Sequence, residues 1–142
     1  MFTYATPVRF ADIDHAGIVY YPRFFHYFHL AFEELWRDRI GPQAYSDIID
    51  RDRIGFPAVR AECDFKAPLK FGDTAEIDVS IPRLGTKSIT FRYRIYRAAV
   101  TATTRTLCAE GQVVCAVVDL AKFVSVAVPE RVNDMLRDLV ES

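Results

Sequence analysis

The densest chemistry in the sequence lies in the run Asp12-Ile13-Asp14-His15-Ala16-Gly17-Ile18-Val19-Tyr20-Tyr21-Pro22. Two carboxylates, a histidine and a glycine stand just ahead of a proline that fits the first position of a helix, where its missing N–H costs nothing. The N–H groups of a first helical turn have no intrahelical acceptor and point outward. With the helix dipole they stabilise a negative oxygen. A carboxylate beside such a terminus is a workable acyl-transfer arrangement. A backbone donor near Tyr21 would polarise a carbonyl, and the carboxylate would attack it or activate water. The same residues also make an ordinary loop. Asp side chains ahead of helices bond their own backbone in turns and caps, and spacing alone favours that structural reading.

The elements that must position this run follow from periodicity. Residues 2–10 alternate, with Phe2, Tyr4, Val8 and Phe10 on one side, which predicts a half-buried strand. From Pro22 to about Ile40 apolar residues recur at helical spacing: Phe24, Phe28, Ala31, Phe32 and Leu35, widened by Phe25 and Trp36. A helix apolar almost all round is a buried one, and Gly41-Pro42 ends it. A short helical turn is expected over 44–51. After Gly55 the period becomes two. Val59, Ala61, Cys63 and Phe65 share one face; so do Ala75, Ile77, Val79 and Ile81; so do Ile89, Phe91, Tyr93 and Ile95. These are strands of an antiparallel sheet with one wet face. A further long strand spans 105–119, apolar on both faces from Val113 to Val118, and 123–128 adds a short one. Pro129 opens an amphipathic helix with Val132, Met135, Leu136, Leu139 and Val140 on one side. A long apolar helix needs a sheet to wrap it. The expected class is α+β, a long central helix wrapped by a curved antiparallel sheet, in one domain over 1–142.

Composition narrows the function. The chain has 142 residues, 18 basic and 19 acidic, for a net charge of −1. That balance argues against a general nucleic-acid binder, which needs clustered positive charge. The three cysteines, Cys63, Cys108 and Cys115, form no zinc-type spacing. Buried structural thiols in a reducing compartment are the expectation. Neither a signal-peptide pattern nor a membrane-length apolar run is visible, so the cytoplasm is the expected location. No metal, cofactor or membrane partner is expected.

The segment Val8-Arg9-Phe10-Ala11-Asp12-Ile13-Asp14-His15-Ala16-Gly17-Ile18-Val19-Tyr20-Tyr21-Pro22 closely resembles the signature of the 4-hydroxybenzoyl-CoA thioesterase family. That signature is a strand, then Asp/Glu-x-Asp-x-x-Gly-x-Val-x-Tyr, then the central helix. The resemblance continues through Gly55-Phe56-Pro57-Ala58-Val59, Pro68 with Gly72-Asp73, Lys87-Ser88, and 110–119. It implies the hot-dog fold, cleavage of acyl-CoA thioesters, and work as a homodimer or homotetramer. It places the catalytic carboxylate on Asp14, as nucleophile or general base, and the thioester-polarising backbone N–H on Tyr21. It places contacts to the CoA phosphates on Lys87 and Ser88. Gly17 of the motif counts among the substrate-binding positions, as do Tyr20, Phe25 and Phe56, whose neighbourhood lines the acyl pocket in the benzoyl-type branch. Such a pocket either accepts an aromatic group or closes against long chains.

The remaining candidates have plainer readings. Asp12 is expected to fix the loop by hydrogen bonds. His15 could tune Asp14 but reads as a solvated loop histidine. His26 and His29 read as core or interface histidines on the helix. Two other functions share the pattern. A hot-dog dehydratase or isomerase would need a histidine base, and its motif is not visible. A non-catalytic acyl-CoA or acyl-carrier-protein binding module would need only the pocket.

Overall fold

A computed structural model of the protein describes residues 1–101 and 104–142. The main sheet has five antiparallel strands: β1 (Phe2–Pro7), β3 (Ala58–Phe65), β4 (Thr74–Leu84), β5 (Ser88–Arg97) and β6 (Thr106–Ala116). Their spatial order is β1-β4-β5-β6-β3. A smaller three-stranded sheet joins β2 (Ile54–Gly55), β7 (Val118–Asp119) and β8 (Val124–Ser125). The long helix α1 spans Pro22–Ile40 and is followed by α2, Ala44–Asp50. A C-terminal helix, α3 (Glu130–Leu136), continues into a 3-10 turn over Arg137–Leu139. Gly41, at φ +109°, stops α1 as the sequence predicts.

The helix lies across the sheet because their apolar faces match. Phe24, Tyr27, Phe28, Ala31, Phe32, Leu35 and Trp36 are buried. They meet Ala75, Ile77, Val79 and Ile81 of β4 and Ile89, Phe91, Tyr93 and Ile95 of β5, all buried as their alternation predicts. Each large apolar side chain so buried contributes about 1.5–3 kcal/mol. The Phe28 ring stacks on Tyr93 with centroids 4.8 Å apart, and Phe32 meets Phe91 edge-on at 5.3 Å. The approach is close enough that a Cβ on Gly111 of β6 would lie 2.7 Å from the Phe28 ring and clash with the Glu62 carbonyl. Trp36 and Phe56, 5.2 Å apart, close the far end of the helix.

Three sequence expectations fail locally. Phe10 does not continue the first strand inward. The chain turns into a 3-10 turn at Phe10–Asp12, and the Phe10 ring is 75% exposed, edge-on to Phe71. Val59 does not share the inner face with Ala61, Cys63 and Phe65. The β3–β6 register slips between Ala58 and Arg60, a bulge that turns Val59 out to 65% exposure and sets Ala58 facing α1. A bulge of this kind reverses the parity of every residue before it. The 105–119 strand is also broken in two, β6 and β7, at Val117. No described helix is long and apolar enough to cross a membrane.

Gly111→Ala is expected to lower stability by about 1–3 kcal/mol through overpacking, read as a fall in the urea midpoint. An unchanged midpoint would show that α1 sits further from β6 than described.

Candidate active site

The loop from Ala11 to Tyr21 is a small hairpin folded against the start of α1. Tyr20 N–H donates to the Asp12 carbonyl at 2.9 Å and Asp14 N–H to the Ile18 carbonyl at 2.9 Å. Ile13 and Val19 pair between them. Gly17 N–H returns to the Asp14 carbonyl at 3.0 Å. Gly17 sits at φ +84°, a left-handed conformation that glycine adopts without steric cost. Val19 N–H donates to the Leu69 carbonyl, which ties the hairpin to the β3–β4 connection.

The two aspartates have opposite environments. Asp12 is buried. Its Oδ2 accepts from Arg9 N–H and from the Tyr27 hydroxyl, both at 2.9 Å, and Arg23 stands 3.8 Å from Oδ1. Burial, with the Asp12 carboxylate next, pushes the Tyr27 phenol far above its ordinary range, so Tyr27 stays a donor. Asp12 thus fixes the loop, as the sequence suggests. Asp14 is exposed. Its Oδ1 accepts from Ala16 N–H at 2.8 Å, and among the described residues its Oδ2 has no donor. One oxygen of Asp14 is therefore held in an Asx turn while the other is free.

The helix start carries one unused donor. Arg23 N–H donates back to the Tyr20 carbonyl at 2.8 Å and Phe24 N–H to the Tyr21 carbonyl at 3.2 Å. Pro22 has no N–H. Among the described residues, Tyr21 N–H has no acceptor, so it is the donor left at this terminus.

One cavity adjoins this region and a second lies further along α1. The first, about 470 Å³, is lined by Tyr21, Phe24, Phe65 and Lys66 with the loop residues Ile18 and Pro68. The second, about 350 Å³, lies between α1 and β3; Phe25, Phe28, His29 and Phe56 line it with Ala58 and Ala61. The structure thus brings Phe25 and Phe56 together. Tyr20 lines neither cavity and instead meets Tyr21 edge-on at 5.3 Å. Lys87 and Ser88 are not near Asp14 within the chain. The hairpin loop sits at the Thr74 end of β4, because Val8 N–H bonds Asp73. Lys87 and Ser88 open β5 at the Leu84 end, one β4 length or roughly 30 Å away.

His15, His26 and His29 are all exposed in the chain. For His26 and His29 this corrects the core reading: they lie on the flank of α1 that β4 and β5 do not cover. Cys108 and Cys115 are buried and Cys63 is half-buried, all free thiols. Burial pushes Cys63 and Cys115 up to about 11, so both stay protonated near neutrality and neither is an activated nucleophile. Sequence reasoning missed Ala58, Ala61, His29 and Tyr45 as cavity residues. The spacing Tyr21-Phe25-His29-Glu33, four apart, is the signal that could have found one of them.

Tyr27→Phe is expected to lower stability by about 1–3 kcal/mol, because it removes a donor from a buried carboxylate. Chemical unfolding measures this; a neutral effect would show that the Arg9 N–H and Arg23 satisfy Asp12 without Tyr27.

Comparison with known proteins identifies the family and the fold. A family model described as the thioesterase-like superfamily matches residues 8–136. A 1,4-dihydroxy-2-naphthoyl-CoA hydrolase of Synechococcus elongatus is 33% identical over 108 residues, 74% of this chain and 79% of that protein. A 1,4-dihydroxy-2-naphthoyl-CoA thioesterase from Synechocystis superposes with a TM-score of 0.86 at 27% identity, covering 97% of this chain and 96% of that one. A gentisyl-coenzyme A thioesterase superposes at 0.79 with 31% identity, covering 93% and 99%. These names refine the resemblance read from the sequence, since they carry naphthoyl and gentisyl groups in place of 4-hydroxybenzoyl. By the family match over its length and by its fold, the chain belongs to the thioesterase-like superfamily of hot-dog proteins.

Proposed function

We propose that the protein hydrolyses an acyl-CoA thioester with an aromatic acyl group, using Asp14 and the Tyr21 N–H. The observation that carries this is the unused Tyr21 N–H at the start of α1, in a loop that leaves one Asp14 oxygen free. The thioester carbonyl oxygen would accept from Tyr21 N–H, strengthened by the helix dipole. Asp14 would then act in one of two ways. It attacks the carbonyl carbon and expels CoA thiolate, leaving a mixed anhydride that water hydrolyses. Alternatively, it takes a proton from the water that attacks. Both routes yield free acid and CoA. The aromatic preference rests on the α1–β3 cavity, whose walls are largely phenyl and phenol rings. The names of the relatives, naphthoyl-CoA and gentisyl-CoA enzymes, favour the same class.

The working unit we propose is an oligomer of this domain, a dimer at least. Strand β3 is the free edge beside both cavities, and it is exposed along nearly its whole length. An open edge of this length invites pairing. Two copies related by a two-fold axis perpendicular to β3 would run their β3 edges antiparallel. That pairing sets the Lys87 end of one copy beside the Asp14 end of the other, which supplies the CoA-phosphate contacts the single chain keeps apart.

Asp14→Asn keeps an oxygen for the Ala16 N–H. It is expected to lower CoA release about 10²–10⁴-fold, followed with DTNB on benzoyl-CoA and naphthoyl-CoA, with no change in unfolding midpoint. Wild-type turnover by this variant would remove Asp14 from the mechanism. The shared site has a separate test. Asp14→Asn chains mixed and reassembled with Lys87→Ala/Ser88→Ala chains are expected to regain activity at low substrate concentration, since one site of each mixed pair is intact. No recovery on verified mixing would place the whole site in one chain.

A further inference from the structure

The α1–β3 cavity is apolar except at three side chains. Tyr45 and Tyr93 line it with their phenols, and His29 stands at its edge. Tyr93 is 2% exposed, yet among the described residues neither its hydroxyl nor that of Tyr45 has a hydrogen-bond partner. Neither oxygen is sealed off, since Trp36 Nε1 is the one fully buried side-chain polar atom without a partner among the described residues; both hydroxyls open to the cavity and can donate to what fills it. Burial first, and then the Cys115 thiol, pushes the Tyr93 phenol well above its usual range and the Tyr45 phenol to about 12. Both therefore remain O–H donors near neutrality.

His29 completes the set from the opposite side. Its Nε2 lies 2.9 Å from Glu33 Oε1, one helical turn on, and its ring lies over Phe32 at 5.7 Å. An ionised carboxylate only accepts hydrogen bonds, so the Nε2 that faces it carries a proton, and the neutral form of the ring then offers Nδ1 as an acceptor. Position agrees with chemistry. Tyr21, Phe25, His29 and Glu33 fall four apart and form one row along α1. His29 lies eight residues, about 12 Å, beyond Tyr21 along the axis. Helical side chains lean toward the N-terminus, which shortens that span to the reach of an aryl ring with its substituent. Ala58 and Ala61 on β3 leave the room for the ring.

We propose that His29 is a specificity-determining residue, held by Glu33 so that its second ring nitrogen accepts a hydrogen bond from a hydroxyl on the acyl ring. The proposal rests on the functional reading above and adds the group that distinguishes a hydroxylated ring from a bare one. His29 touches substrate; Glu33 is a positioning residue that sets the tautomer. Tyr45 and Tyr93 offer donors to a second ring oxygen.

The experiment compares kcat/KM on the hydroxybenzoyl-CoA isomers with that on benzoyl-CoA. The preferred hydroxy isomer is expected to exceed benzoyl-CoA in the wild type. His29→Leu is expected to cut that ratio about five- to tenfold. His29→Gln, whose amide oxygen also accepts, keeps part of it, and Glu33→Gln reduces it without abolishing it. An unchanged ratio in His29→Leu, or equal losses on both substrates, overturns the proposal. Calorimetry with the uncleavable ketone analogues phenacyl-CoA and hydroxyphenacyl-CoA separates this from the hydrolysis reading. If no thioester is cleaved but the hydroxyl preference in binding depends on His29, hydrolysis falls and His29 stands. If thioesters are cleaved with no such dependence, His29 falls and hydrolysis stands. If the analogues do not bind and nothing is cleaved, both fall.

Discussion

The stack of Phe28 on Tyr93 over Gly111 sets the height of α1 above the sheet. A glycine in a strand interior is unfavourable in itself, and here its missing side chain is what lets an aromatic ring reach the strand backbone. With the helix held that close at its middle, the gaps fall to either side. One opens toward β3, where Ala58 and Ala61 are too small to fill it. The other opens at the helix start, under Tyr21 and Phe65. Both cavities follow from a single close contact and from small residues placed off to one side of it.

The loop ahead of the helix divides its carboxylates by burial. Asp12 gains two hydrogen bonds and a nearby guanidinium, and so becomes the peg on which the hairpin hangs. That peg leaves Asp14 free of structural duty beyond one Asx bond. The proline at the first helical position removes one donor, the 3-10-type bonds of Arg23 and Phe24 use two more, and the Tyr21 N–H is left over. A terminus with one unused donor is more selective about where an oxygen can sit than one with three.

Much of this is legible in the sequence. The bounds of α1 follow from Pro22, the aromatic stripe and Gly41, because helix stops and starts are local events. The inner faces of β4 and β5 follow from strict alternation, and the loop-fixing part of Asp12 from its place before the helix. Alternation gives the wrong direction for Phe10 and Val59, for one shared reason: a 3-10 turn and a bulge each shift parity, and neither leaves a mark in hydrophobic period. The cavity residues on β3 escape the pattern with them, since Ala58 and Ala61 look like ordinary strand alanines until a helix lies opposite.

The carboxylate run at Asp12–Asp14 is plain from residue order alone, and with it the acyl-transfer chemistry that such a run permits. The sequence by itself determined which residues could act, because residue type and local spacing are properties of the chain. Only the tertiary structure decided which aspartate is buried, which backbone donor stays unused, and that Lys87 and Ser88 stand at the far end of the sheet from Asp14. Those are facts about separation in space, and contacts between distant segments depend on register, bulges and strand order rather than on position along the chain.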